Sequence, residues 1–234
     1  DGIRDIGVTG VQTCALPISN KKNLFADYKA NRKIQRITNW EGFDNREEES
    51  ASIENQILCL IQYLRCLPVD LLSIDKVEAD DVIAHLTQKL DGEVYIMSAD
   101  QDFLQLVNDK VTVYSPIKKK FYTPKLVKEE YGLYPQNYIN KKILMGDNSD
   151  NVPGVKGLGD KKLFKLFPEL AELEPITLKD IFEKCEAKRQ EHGLYEDICN
   201  FKKQLLINSQ LMNLKEIDMP EDGLDEIQLV LTYE

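Results

Sequence analysis

Residues 93–107 read Glu-Val-Tyr-Ile-Met-Ser-Ala-Asp-Gln-Asp-Phe-Leu-Gln-Leu-Val. The run is short, apolar and rich in β-formers, and it ends on the acid pair Asp100 and Asp102. A continuous apolar run of this kind predicts a buried parallel strand. A second β-rich run, VTVYSP, follows at 111–116, and a helical pattern from Glu78 to Leu90 turns Val82, Ile83 and Leu86 to one side. Helix and strand alternating in this way predict an α/β layer with a parallel sheet. In such layers chemistry gathers beyond the carboxyl ends of the strands. Acids at i and i+2 on extended chain point to the same side, which makes Asp100 and Asp102 candidates for a site.

Working outward, Ser52 to Cys66 carries Ile53, Ile57, Leu60, Ile61 and Leu64 at helical spacing, and Pro68 ends it. VDLLSI (69–74) predicts a short buried strand, and NLFADYKANRKIQ (23–35) a basic amphipathic helix. Beyond Lys125 the strand signals stop. TPKLVKEEYG, PQNYINKKILMG, KKLFKLFPEL and Ile181 to Met212 all predict helices separated by Gly and Pro. The expected division is an α/β core over 20–125 and a helical region over 126–234. Residues 1–19 (DGIRDIGVTGVQTCALPIS) match neither half. They lack the pattern of a secretory signal, resemble translated sequencing-adapter read-through, and are expected to be a non-native leader.

The chain has 234 residues, 42% hydrophobic and 30% charged, with a formal net charge of -10. No apolar run approaches the ~18 residues of a membrane span. Five cysteines, none spaced as Cys-x-x-Cys, point to reduced thiols rather than a disulfide framework or a zinc site. The acidity by itself argues against a nucleic-acid partner, but the charge is segregated. Six basic residues face one acid between Asn20 and Ile37, and twelve lysines face five acids between Lys110 and Lys165. Two basic blocks around an acidic centre suit a polyanion held at its edges.

Five motifs carry candidate chemistry. Glu78-Ala-Asp80-Asp81 opens a helix, where acids also simply complement the helix dipole. Asp100 and Asp102 follow the strand. Asp147 and Asp150 lie in Gly-Asp-Asn-Ser-Asp-Asn (146–151), whose spacing is not that of an EF-hand. If these seven acids converge, their repulsion requires divalent cations, and an all-oxygen set favours Mg2+ or Mn2+. Neither histidine, His85 or His192, adjoins these motifs, so activation of water by metal is expected rather than by an imidazole base. The fourth motif, Val152 to Lys162, contains Gly154, Lys156, Gly157, Gly159, Lys161 and Lys162. It predicts a helix-hairpin-helix grip on a DNA backbone. The fifth, Tyr28-Lys29-Ala-Asn-Arg32-Lys33, puts two cations on one helix face beside an aromatic suited to stacking on a base.

Taken together, DYKANRK, VEADDVI, SADQDFLQLV and LMGDNSDNVPGVKGLGDKK resemble the 5′-3′ exonuclease and flap endonuclease family, in its bacterial DNA polymerase I N-terminal and phage exonuclease branch. The resemblance covers Asn23 to Leu214. It implies a PIN-like nuclease core beneath a helical arch, followed by a helix-three-turn-helix DNA-binding region. It further implies a two-metal site held by Glu78, Asp80, Asp81, Asp100, Asp102, Asp147 and Asp150. Lys29 and Arg32 would meet the reacting phosphate, with potassium at the hairpin. The implied partner is flapped, nicked or branched DNA in replication or repair, the implied state a monomer, and the implied location the cytosol of a bacterium or a phage-infected cell. Two further Asp-bearing strands that family members carry before the arch find no match. Impaired activity or stability of this chain is therefore expected, and a non-catalytic branched-DNA binder is the alternative.

Overall fold

A computed structural model describes residues 20–31, 42–217 and 219–232. A short helix α1 (Asn20–Leu24) leads into turns through Asn31. Helix α2 (Arg46–Leu64) starts where the Asn45 side chain accepts from the Glu48 N–H, a cap for an otherwise unpaired donor. Helix α3 (Ala79–Lys89) precedes β1 (Val94–Met97), and a 3₁₀ segment (Gln101–Leu106) then leads to β2 (Val111–Ser115) and β3 (Lys120–Tyr122). β1 pairs parallel with β2, Val94 opposite Val111, and β2 pairs antiparallel with β3.

The second half is helical. Thr123 caps α4 (Pro124–Tyr131), with Pro124 in its first turn and left-handed Gly132 ending it. Helix α5 (Pro135–Met145) runs into a two-residue ladder of β4 (Gly146–Asp147) against β5 (Val152–Pro153). Helices α6 (Asp160–Leu166), α7 (Leu178–Ala187), α8 (Gly193–Asn200), α9 (Lys202–Met212) and α10 (Glu221–Thr232) complete the chain.

Three apolar clusters organise these elements. One joins the sheet, the 3₁₀ segment and α4 through Ile96, Leu104, Val113 and Val127. The largest joins α5 to α9 with Tyr28 of the N-terminal turns. The third packs Ile227 of α10 behind Val82 and Leu86 of α3. Among the described residues no helix is long and apolar enough to cross a membrane.

Several sequence expectations are corrected here. The basic helix over 23–35 ends at Leu24; Tyr28 to Asn31 form a turn, and Arg32 and Lys33 lie outside the described residues. VDLLSI forms no strand, because no described neighbour offers it a ladder. β1 is parallel but buried on one face only: Ile96 lies in the core whereas Tyr95 and Met97 are 62% and 74% exposed, and among the described residues β1 pairs with β2 alone. Helix α2 forms where its period predicts, yet Ile53 and Leu60 remain exposed. Ile181 to Met212 breaks into three helices, since His192 caps α8 and Phe201 parts α8 from α9.

Candidate metal centre and nucleic-acid interface

The first acid group stands at the start of α3. Glu78 is the N-cap, and Asp80 and Asp81 occupy the first turn, where the helix dipole favours negative charge. Oxygens of Glu78, Asp80 and Asp81 all lie within 4.8 Å of one another. Two lysines pair with them. Lys21 Nζ lies 3.0 Å from Glu78 Oε2 and 2.9 Å from Asp81 Oδ2. Lys29 Nζ donates to Glu78 Oε1 at 2.5 Å and stands 4.0 Å from Asp150 Oδ2. The Tyr28 hydroxyl donates to Glu78 at 3.1 Å and to Asp150 at 3.4 Å. Tyr28, expected from the sequence to stack on a base, is only 3% exposed: its hydroxyl serves the acids and its ring lies in the helical core.

The charges respond to this crowding. Burial, only partly opposed by Lys21 and reinforced by the Asp80 carboxylate, pushes Asp81 up to about 6. Burial also raises Asp80, against Lys21. Burial acts on Glu78 in the same sense, but Lys21 and Lys29 together hold it below the usual carboxylate range. Three carboxylates face two ammonium groups, so the cluster remains short of positive charge.

The second group forms around Lys142, in the last turn of α5. Its Nζ donates to Asp102 and, at 2.6 Å, to Asp147 Oδ2. Burial raises Asp102 despite Lys142, whereas Lys142 and Ser149 overcome burial to bring Asp147 down to about 2. Asp100 is exposed and accepts from the Asp102 N–H at the head of the 3₁₀ segment. Glu78, Asp80, Asp81 and Asp150 thus gather around Lys21 and Lys29, and Asp102 and Asp147 around Lys142, while Asp100 touches the second group only through the Asp102 N–H. The turn from Asp147 to Asp150 belongs to both. Sequence reasoning missed Lys21 and Lys142. Lys142 had a signal, since it precedes Asp147 by five residues at the end of one helix.

The hairpin side is built for close backbone approach. A Cβ on Gly154 would sit 2.0 Å from the Met145 carbonyl, and one on Gly146 2.3 Å from the Gly154 nitrogen. Gly154 therefore answers to packing against α5. Gly157, at φ +79, and Gly159, the N-cap of α6, are exposed together with Lys156, Lys161 and Lys162. Lys162 Nζ donates to the Gly157 carbonyl at 2.9 Å.

Two family models divide the chain: "5′-3′ exonuclease, N-terminal resolvase-like domain" matches residues 15–132, and "5′-3′ exonuclease, C-terminal SAM fold" matches 133–230. The chain belongs to the 5′-3′ exonuclease family. It is 32% identical over 207 residues to a 5′-3′ exonuclease of Buchnera aphidicola, covering 86% of this chain and 71% of that one. It is 36% identical over 190 residues to DNA polymerase I of Bacillus subtilis, spanning 77% of this chain and only 21% of the polymerase. The fold is shared with the phage T5 D15 protein co-crystallised with metal ions, at a TM-score of 0.70 and 22% identity, over 97% of this chain and 81% of that one. It is also shared with a T5 D15 flap endonuclease in complex with DNA and metal ions, at a TM-score of 0.64 over 91% and 74% of the two chains. The PIN-like core followed by a helical region, expected from the motifs, is the fold of this 5′-3′ exonuclease family member.

Proposed function

We propose that this chain is a divalent-metal-dependent 5′-3′ exonuclease and 5′-flap endonuclease that hydrolyses DNA phosphodiester bonds in replication, including Okazaki fragment processing, or in repair. The observation that carries the reading is the Glu78–Asp80–Asp81 oxygen cluster with Lys29 seated against it, in a member of this family. The donor set fits Mg2+ or Mn2+, being all oxygen, with three carboxylates against two lysines. Glu78, Asp80, Asp81 and Asp150 would hold one ion, and Asp100, Asp102 and Asp147 a second. Such ions supply an activated water and neutralise the charge that develops on the reacting phosphate.

The chain's own residues do the rest. Lys29, with Arg32, would orient the reacting phosphate against the acids, and Lys33 would extend that contact along the strand. Tyr28 fixes Glu78 and Asp150 through its hydroxyl. Gly154 shapes the hairpin that presents Gly157, Gly159, Lys156, Lys161 and Lys162 to duplex backbone, where phosphate contacts position without reading sequence. A potassium ion at this hairpin would compete with Lys162 for the Gly157 carbonyl. The domain division at about residue 125, the monomeric state and a cytosolic setting belong to the same proposal.

The test is cleavage of a 5′-flap DNA with Mg2+ or Mn2+, beside an RNA of the same shape. Asp100→Ala with Asp102→Ala should abolish cleavage and spare duplex binding. Duplex binding without cleavage by the unaltered chain in either metal would overturn the nuclease reading in favour of a branched-DNA binder.

A further inference from the structure

The turn that carries Lys29 is closed by Tyr28 N–H donating to the Phe25 carbonyl and Ala30 N–H donating to the Asp27 carbonyl, each at 3.0 Å, and Tyr28 anchors it in the core. Helix α1 stops at Leu24, and Lys29 sits in the left-handed region at φ 55. Side chains other than glycine occupy that region at a cost. Its remaining ties run far away in sequence, to the turn after α5. The Lys29 N–H donates to the Asp150 carbonyl at 2.8 Å. Asn151 Nδ2 donates to the Asp27 carbonyl at 2.8 Å, and Asn31 Nδ2 donates to the Asn148 carbonyl at 2.8 Å. Donors run in both directions, so the two turns clasp each other.

Asn151 is the informative member. It too is left-handed, at φ 59, and it is exposed, so it contributes nothing to the core. Glycine would hold that backbone with less strain; what asparagine adds is a donor aimed at the Asp27 carbonyl. Asn31 is likewise exposed. We infer that Asn151 and Asn31 are positioning residues, which latch the Lys29 turn onto the Asp147–Asp150 turn and so keep the Lys29 ammonium against Glu78 and Asp150. The inference rests on the nuclease reading for its catalytic consequence and on the hydrogen bonds alone for its structural one. A misplacement of about 1 Å at a reacting group costs on the order of 100-fold in rate, so loss of the latch is felt at Lys29 rather than in global stability.

Asn151→Gly keeps the positive φ and removes the donor; Asn151→Asp keeps the shape and cannot donate; Asn31→Ala removes the second tie. Hydrogen–deuterium exchange is measured over residues 27–31 without metal or DNA, beside the melting temperature. Single-turnover flap cleavage is then measured in the native and Lys29→Ala backgrounds. Asn151→Gly is expected to speed exchange at the Lys29 amide about tenfold or more with melting unchanged. It should slow cleavage by about 10- to 100-fold when Lys29 is present, and add no further loss when Lys29 is absent. Asn151→Asp and Asn31→Ala should move exchange in the same direction. Unchanged exchange at Lys29, or an equal rate loss in both backgrounds, would overturn the latch. Failure of the unaltered chain to cleave would overturn the nuclease reading instead, and the exchange measurement would still decide the latch by itself.

Discussion

Replacing Lys142 by methionine isolates the charge of the second acid group from its packing, because methionine keeps much of the apolar stem. The Lys142 side chain is 15% exposed, and the Asp102 and Asp147 carboxylates it joins are 20% and 18% exposed. Breaking a fully buried pair costs about 3–5 kcal/mol; the residual solvent here scales this to about 2–3 kcal/mol at pH 7. The acid limb gives an independent figure. Asp147 is held at about 2 against an ordinary value of 3.8, worth roughly 1–2 kcal/mol once solvent screening is allowed for. The sign follows from linkage. A carboxyl lowered in the folded state stabilises fully above its unfolded value, and that contribution is lost as pH falls from about 4 towards 2. In Lys142→Met this contribution is absent, and Asp102, already raised by burial, rises further and burdens the fold when ionised. The deficit of the variant should therefore be largest near neutrality, begin to shrink below about pH 4 and approach zero only near pH 2. Urea denaturation from about pH 2 to 8 with a chelator present measures it. Adding Mg2+ should then stabilise the variant more than the native chain, since no ammonium competes for the two carboxylates. A deficit of the same size at every pH would refute the electrostatic account and assign the loss to the lysine stem.

Three further expectations follow from the packing. Gly154→Ala forces a Cβ into the Met145 carbonyl and should destabilise by about 3 kcal/mol; a cost below about 1 kcal/mol in chemical denaturation would mean that the β4–β5 turn can spread. Asn208 is fully buried and donates to the carbonyls of Ile143 and Pro153 at 3.0 and 2.8 Å; Asn208→Leu should cost about 2–3 kcal/mol, read as a lower melting temperature, and an unchanged melt would contradict the role of these bonds. Cys59 and Cys66 are exposed, whereas Cys185 is buried and its thiol is pushed up to about 12 by burial; a thiol reagent at pH 8 should label the first two in the folded chain and Cys185 only on unfolding, as mass spectrometry of the labelled peptides would show.

What was legible in the sequence were features whose cause is local. The alternation of helix and strand, the parallel pairing of 94–97 with 111–115 and the acids at the start of α3 all follow from period and from residue type. What was not legible depends on partners distant along the chain. A 3.6 period in NLFADYKANRKIQ cannot register that Lys29 is drawn inward by Glu78, 49 residues later, or that Tyr28 is needed in the helical core. A lysine in a helix such as Lys142 reads as solvated until Asp102 is brought beside it by the sheet. VDLLSI has strand composition, but composition supplies no neighbouring strand. Likewise the Asp147–Asp150 spacing suggested one site, whereas the turn directs the two side chains into different groups.

Among the described residues one side of β1 is left without a neighbouring strand, and this bears on how the chain behaves in bulk. Val94 to Met97 offers a row of backbone donors and acceptors without a described partner, and the side chains beside it, Tyr95 and Met97, are apolar or aromatic. The strand contains none of the lysines, prolines or bulges with which natural sheets discourage edge-to-edge addition. No described strand pairs with that edge, so an extended segment, another copy included, is the kind of partner that completes such a ladder. Light scattering should therefore rise more steeply than linearly with protein concentration, and a single charge at Met97 should flatten the curve without touching either acid group.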